Sequence, residues 1–179
     1  MEKRHRNRDR QGAEEITYLI TFATYGSHVP GQPGAVPRTR NLYGSPLPDP
    51  CVFKERHSVE RMIEAPYVLD APRAEVVLRS IREVSAYRGW SLLAAHVRSN
   101  HVHVVVRGSC KPEVMMNAFK AYASRALNAG EFDSPDRHRW ARHGSTRYLW
   151  DRDSVSAAID YVVRRQGEPM SVFDGSSAP

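Results

Sequence analysis

Two histidines separated by a single residue, His101 and His103, stand in the run Asn100-His101-Val102-His103-Val104-Val105-Val106. Side chains alternate between faces along a strand, so positions i and i+2 share one. Two imidazoles placed side by side can converge on one divalent cation. Val102, Val104 and Val106 then point the other way, as a core-facing set should, and Val105 partly buries the histidine face. The same spacing also fits two half-buried or surface histidines on a hairpin. A second cluster spans residues 134–152, SPDRHRWARHGSTRYLWDR, with five arginines, two histidines, two tryptophans and a tyrosine against two aspartates. Cations suit phosphates and flat rings suit exposed bases, the pairing that a single-stranded nucleic acid requires. Arg137, Arg139, Trp140, Arg142 and Arg147 are the candidates, with Lys120 and Arg125 from a preceding helix. The alternative is a solvated basic loop with Trp140 and Trp150 tucked into the core, Trp150 being the more core-like.

These residues need elements to hold them. ITYLITFATY (16–25) is β-branched and aromatic and reads as a strand. Residues 26–50 are rich in proline and glycine and read as a long loop. Residues 51–69 are ambiguous, with CVFKERHSV as a possible strand. Asp70 followed by Pro72 opens a helix, Val77, Ile81 and Val84 give it a face, and Gly89 ends it. Residues 90–108 form a hairpin around Arg98-Ser99-Asn100. Pro112 opens a second helix, striped by Met115, Phe119, Tyr122 and Ala126 and closed by Gly130. Lys120 and Arg125 lie off that stripe. Residues 131–152 read as irregular. Ser154 is a plausible cap for a last helix that runs to about Gln166, before Gly167 and Pro169.

The fold class expected from this order is α+β, a ferredoxin-like or RRM-like sandwich. A central antiparallel sheet carries helices on one face and the histidine pair on a central strand. One domain over 15–170 is expected, with a disordered basic arm at 1–14 and a flexible tail at 171–179. The chain has 179 residues, 41% of them hydrophobic, and a net charge of +6. Its pI is about 9.6. That balance supports a real core and points to a polyanionic partner. No apolar run approaches the ~18 residues of a membrane span, so no membrane is expected. Two cysteines, Cys51 and Cys110, are too few for a disulfide scaffold and read as reduced thiols in a cytoplasmic protein. Of the other histidines, His5 lies in the arm and His28 in the loop. His57 and His96 read as structural, with His96 alternatively supporting the pair from behind. His138 and His143 suit phosphate better than metal.

Five segments together resemble a known family: ITYLITFATYGSHVPG (16–31), HVRSNHVHVVV (96–106), KAYASRALN (120–128), WARHGSTRYLW (140–150) and DYVVRRQGEP (160–169). In this order they are similar to the IS200-like transposases, including the REP-associated tyrosine transposases, of the HUH single-strand DNA nucleases. The resemblance implies a divalent metal, Mg²⁺ or Mn²⁺, between two histidines and a third polar ligand, and no organic cofactor. It also implies a tyrosine nucleophile on a late helix. The partner implied is single-stranded DNA beside a hairpin, cleaved through a 5′-phosphotyrosine with release of a 3′-OH, at a nucleoid-associated location. Members are usually homodimers, and in many the late helix completes the partner's site.

Helical phase separates the tyrosines. Val155, Ile159 and Val162 stripe the last helix, and at ~100° per residue Tyr161 lies off the stripe, beside Arg165. Tyr122 falls inside its own helix's stripe and reads as core. A phenol has a pKa near ~10, so a metal and a cation such as Arg165 would both favour its ionisation. In relatives the third ligand is commonly Gln or Asn four residues after the tyrosine. Here that position is Arg165, which cannot ligate a cation. Gln166 follows, and Gly167 lets it turn toward the site, so Gln166 is the expected third ligand and Asp160 the alternative. Other readings are a catalytically impaired hairpin-binding protein, a replication-initiator-type nuclease and, more remotely, a hydrolytic zinc enzyme.

Overall fold

The computed structural model describes residues 15–27, 29, 31 and 49–177. The expected basic arm, His5, His28 and most of the 26–50 loop lie outside these residues. The elements are β1 (Ile16–Thr24), α1 (Val52–Glu60), α2 (Ala71–Arg88), β2 (Ser91–Val97), β3 (His101–Gly108), α3 (Pro112–Ala129), β4 (Trp140–Leu149), α4 (Arg152–Arg164) and β5 (Ser171–Asp174), followed by a 3-10 turn at Gly175–Ser177. The strands form one antiparallel sheet in the order β4-β1-β3-β2-β5. Its first four strands with α2 and α3 make the split β-α-β arrangement of a ferredoxin-like sandwich. The histidine pair lies on β3, the middle strand.

Local chemistry accounts for the helices that the sequence announces. Asp70 caps α2 by accepting from the Arg73 N–H at 3.0 Å, and Gly89 ends it in the left-handed conformation at φ 69°. The even-numbered β1 residues Tyr18, Ile20 and Phe22 join Val102, Val104 and Val106 against α2 and α3, forming the main core. The opposite face carries a smaller cluster of Ala94, Val105, Leu149, Ala158 and Val162 under α4. The one-face expectation therefore holds for α2 and α3, while α4 crosses the other face.

Four local expectations need correction. Residues 52–60 are helical and not a strand: the segment is charged and lacks alternation, and Arg56 and Glu60 pair one turn apart at 3.4 Å. Residues 140–149 are an edge strand and not irregular; their exposed, arginine-rich pattern hides the period-2 signal. Ser171–Asp174 pairs with β2 and is no tail. Asp151, not Ser154, caps α4, accepting from the Ser154 N–H at 2.7 Å.

A single-residue irregularity in β2, between Leu92 and Ala94, re-phases that strand. Without it His96 would face α2. With it His96 lies opposite His103, and Thr21 of β1 flanks His103 on the other side. β4 approaches closely enough that a Cβ on Gly144 would collide with the Met116 sulfur and sit 2.5 Å from the Thr21 carbonyl oxygen. Gly144→Ala should therefore destabilise the fold by about 1–3 kcal/mol, the usual cost of overpacking, read as a lower midpoint in chemical denaturation.

Candidate active site

The row Thr21, His103, His96 runs across three neighbouring strands on the face covered by α4. His101 and His103 lie with ring centroids 4.7 Å apart, and the Tyr161 ring meets His103 edge-on at 5.5 Å. Tyr161 is 42% exposed and His103 only 6%. The phenol is thus open to a substrate while the imidazole beneath it is fixed. Each histidine is oriented through Nδ1. That of His101 donates to the Asn100 side-chain oxygen at 2.7 Å, and that of His103 is 2.7 Å from the Thr21 hydroxyl. An amide oxygen can only accept, so the His101 tautomer carries its proton on Nδ1, and Nε2 holds the ring's lone pair.

Burial is the main cause that pushes the His103 pKa down to about 4, with the neighbouring His101 charge adding to it. A contact with Gln166 works the other way, as an oxygen facing an imidazole does. Gln166 also donates its side-chain N–H to the Tyr161 carbonyl at 3.3 Å, so it curls back at the end of α4 toward the histidines. Among the described residues no cluster of three His, Cys, Asp or Glu could hold a metal. Gln166, whose side chain is in contact with His103, carries the one amide that the sequence offered as a third donor.

His96 is 1% exposed. Its Nδ1 donates to the Val162 carbonyl at 3.0 Å, and its Nε2 accepts from the Met170 N–H at 3.4 Å. It ties α4 and the following turn to β2, one residue from Tyr161. Burial lowers its pKa as well. Both imidazoles are neutral in the fold but take up protons near 6.5 in the unfolded chain. Below that value the unfolded chain binds more protons, so stability falls with pH until His103 itself titrates near 4. Denaturation followed from pH 7 to 4 should show this loss, on the order of 3 kcal/mol from His103 at the acid end. His103→Gln should flatten the profile.

The family model described as IS200-like transposase matches residues 55–161, more than half of the chain. The chain belongs to the IS200-like transposases. The matched stretch holds both histidines and ends on Tyr161. A REP-associated tyrosine transposase bound to a REP hairpin shares the fold with a TM-score of 0.50 and 12% identity, over 90% of this chain and 70% of that one. A Deinococcus radiodurans R1 protein provisionally described as a transposase aligns with a TM-score of 0.46 and 12% identity, over 90% of this chain and 95% of that one. No curated protein matches the sequence. Among the described residues no helix is long and apolar enough to cross a membrane.

Within this IS200-like chain, several expected site residues are occupied elsewhere. Arg165 is the residue just past α4, and its guanidinium turns back to Asp160 at 2.7 Å, away from the phenol. Arg164 also holds Asp160, at 3.2 Å, so that carboxylate has two guanidinium partners. Arg98 escaped sequence reasoning. It lies in the β2–β3 turn, lowers the basicity of His103 and His96, and reaches the Glu168 carbonyl at 3.5 Å. The Arg98 charge thus bears on both His103 and His96.

Four of the residues expected to contact DNA are also engaged within the fold. Lys120 is buried and donates to the Ala141 and His143 carbonyls at 2.9 and 3.2 Å, pinning β4 to α3. Trp140 donates to the Lys120 carbonyl and the Ser124 hydroxyl and packs on Phe22. Arg139 is 3% exposed and bonds Asp133, which also holds Arg73 and Tyr67. Arg137 pairs with Glu64. The three cations among them, on α3 and just ahead of β4, each find acceptors within the fold. Arg142, Arg147 and Arg125 are exposed, with Arg125 lying over the Tyr122 ring at 4.2 Å.

Proposed function

We propose that this chain is a metal-dependent single-strand DNA endonuclease and strand transferase that cleaves beside a DNA hairpin through a 5′-phosphotyrosine on Tyr161. The observation that carries the proposal is the convergence of a phenol and two imidazoles, sixty residues apart in the polypeptide, around one accessible point. The solved relative's hairpin supports the choice of DNA.

His101 and His103 would present Nε2, and Gln166 its amide oxygen, to Mg²⁺ or Mn²⁺. Imidazoles and a neutral amide suit Mn²⁺ readily and Mg²⁺ less naturally. When bound, the cation neutralises a non-bridging phosphate oxygen as charge develops there. The protein does the rest. His96 and Gln166 hold the end of α4 with the Tyr161 ring against His103, and the phenol oxygen is the nucleophile. That oxygen attacks phosphorus, losing its proton to solvent. The P–O3′ bond breaks, and the departing oxygen takes a proton to become a 3′-OH. The new phosphotyrosine keeps the bond energy, so a 3′-OH can reverse the step and join strands. In this proposal the histidines and Tyr161 come from one chain, and a homodimer is compatible with it.

The test is incubation of a hairpin with single-stranded flanks and Mn²⁺, followed by denaturing electrophoresis. The expected product is protein covalently joined to the 5′ end of one fragment, with a free 3′-OH on the other. Tight hairpin binding with no covalent product under Mn²⁺ or Mg²⁺ would favour the binding-only reading instead.

A further inference from the structure

Tyr148 and Trp150 stand two residues apart where β4 runs out toward α4. Their rings are stacked, with centroids 5.2 Å apart and 17° between the planes. Tyr148 is 41% exposed and Trp150 is 74% exposed. Behind them the buried Tyr18 meets Tyr148 edge-on at 5.0 Å, bracing the stack against the core. Sequence reasoning put Trp150 in the core and offered Trp140 to the ligand; the packing reverses the two. An indole bound to a second ring, yet left largely in water, has one stacking position to offer.

The surroundings narrow the occupant. Arg147 and Arg152 flank the pair in sequence and are exposed, as are Asp151 and Asp153. Glu113 is also close, accepting from the Thr146 hydroxyl at 3.3 Å. Those carboxylates oppose a duplex backbone laid flat on this surface. An uncharged base ring meets no such penalty, and arginine is at hand for its phosphate. Two rings encircled by charges also fall far short of the ~1,000 Å² that a stable protein interface needs. Tyr148 registers with Tyr18, and Tyr18 with Val106, three residues along β3 from His103. At ~3.4 Å per residue and ~4.8 Å between strands, the platform lies a short way from the histidines, around the edge of the sheet.

We propose that the Tyr148–Trp150 stack is a platform for one unpaired base of the single-stranded DNA flanking the hairpin, a few nucleotides from the linkage that Tyr161 attacks. This rests on the DNA-cleaving function above. Base–aromatic stacking is sequence-tolerant, so the contact fixes the path of the strand and leaves sequence recognition to other groups.

Fluorescence anisotropy on a labelled hairpin, with and without single-stranded flanks, tests it. Trp150→Ala should weaken binding of the flanked hairpin about ten-fold, within the range for one stacked base, and leave the bare hairpin unchanged. Trp150→Phe should retain most of the affinity. A single abasic site walked along the flank should, at one position, cost the wild type what Trp150→Ala costs and cost the variant nothing more. Equal binding of the flanked hairpin by Trp150→Ala overturns the platform, as does an equal loss on the bare hairpin. So does an abasic penalty that adds to the variant's everywhere, or a changed self-association by sedimentation. Adduct formation scored on the same samples separates the two proposals. Adducts with a silent Trp150→Ala refute only the platform. A coupled loss without any adduct supports the platform and refutes the cleavage. Failure of the wild type to bind any of these DNAs refutes both.

Discussion

Tyr161→Phe should abolish the covalent protein–DNA product while leaving affinity for the flanked hairpin within about two-fold of wild type. The substitution removes one oxygen and nothing else that the site depends on. The ring keeps its edge-on contact with His103. α4 stays docked through Ala158 and Val162 and through the hydrogen bond from His96 to the Val162 carbonyl. Among the described residues Tyr122, Tyr148 and Tyr18 belong to α3 or to the opposite face of the sheet. Loss of a nucleophile with its supports intact typically costs ~10⁴-fold or more. Denaturing gels and a binding titration on the same preparation check both halves. Persistent cleavage by Tyr161→Phe would point to a hydrolytic metal enzyme and end the tyrosine mechanism.

His101→Ala should lower the cleavage rate by about 10³-fold, because a metal that has lost one of two imidazoles forfeits several kcal/mol of transition-state stabilisation. His101 is only half-buried and is oriented chiefly by its neighbour Asn100, so the fold should survive the change. Cleavage rates against Mn²⁺ concentration should show a higher metal requirement in the variant, and chelation should stop the wild type. Arg165→Ala makes the contrast. Its guanidinium is engaged with Asp160 on the solvent side, so its rate should stay within about three-fold of wild type, the scale of a surface ion pair. A large loss from Arg165→Ala with little from His101→Ala would move the chemistry away from the imidazoles.

Much of this was legible in the sequence because local signals agreed with the fold. Asp70, Pro72 and Gly89 mark α2 without help from its neighbours, as Pro112 and Gly130 do for α3. The alternation of Val102, Val104 and Val106 against His101 and His103 fixes which face of β3 is buried. Phase alone put Tyr161 off the stripe of α4. What the sequence hid depends on contacts between distant residues. The phase of His96 turns on one extra residue in β2, which no local pattern reveals. The acceptors that take Lys120, Arg139 and Arg137 lie on other elements, so a cationic run looked available when it was already engaged. Arg98 could have been suspected, since it sits three residues before His101 in the hairpin turn. The pairing of Arg165 with Asp160 depends on how its side chain folds back at the end of α4, which spacing alone does not show.

The two sides of the sheet are unequally clad, and that sets the order in which the molecule can loosen. Most of the interlocked apolar mass lies with α2 and α3, whereas α4 is attached by a small cluster and by one imidazole stitched to its backbone. The helix bearing the phenol can therefore lift without melting the main core. In the reaction proposed above, that would let a strand of DNA thread beneath it, and a phosphorylated side chain swing clear, at the expense of a local breathing event rather than global unfolding.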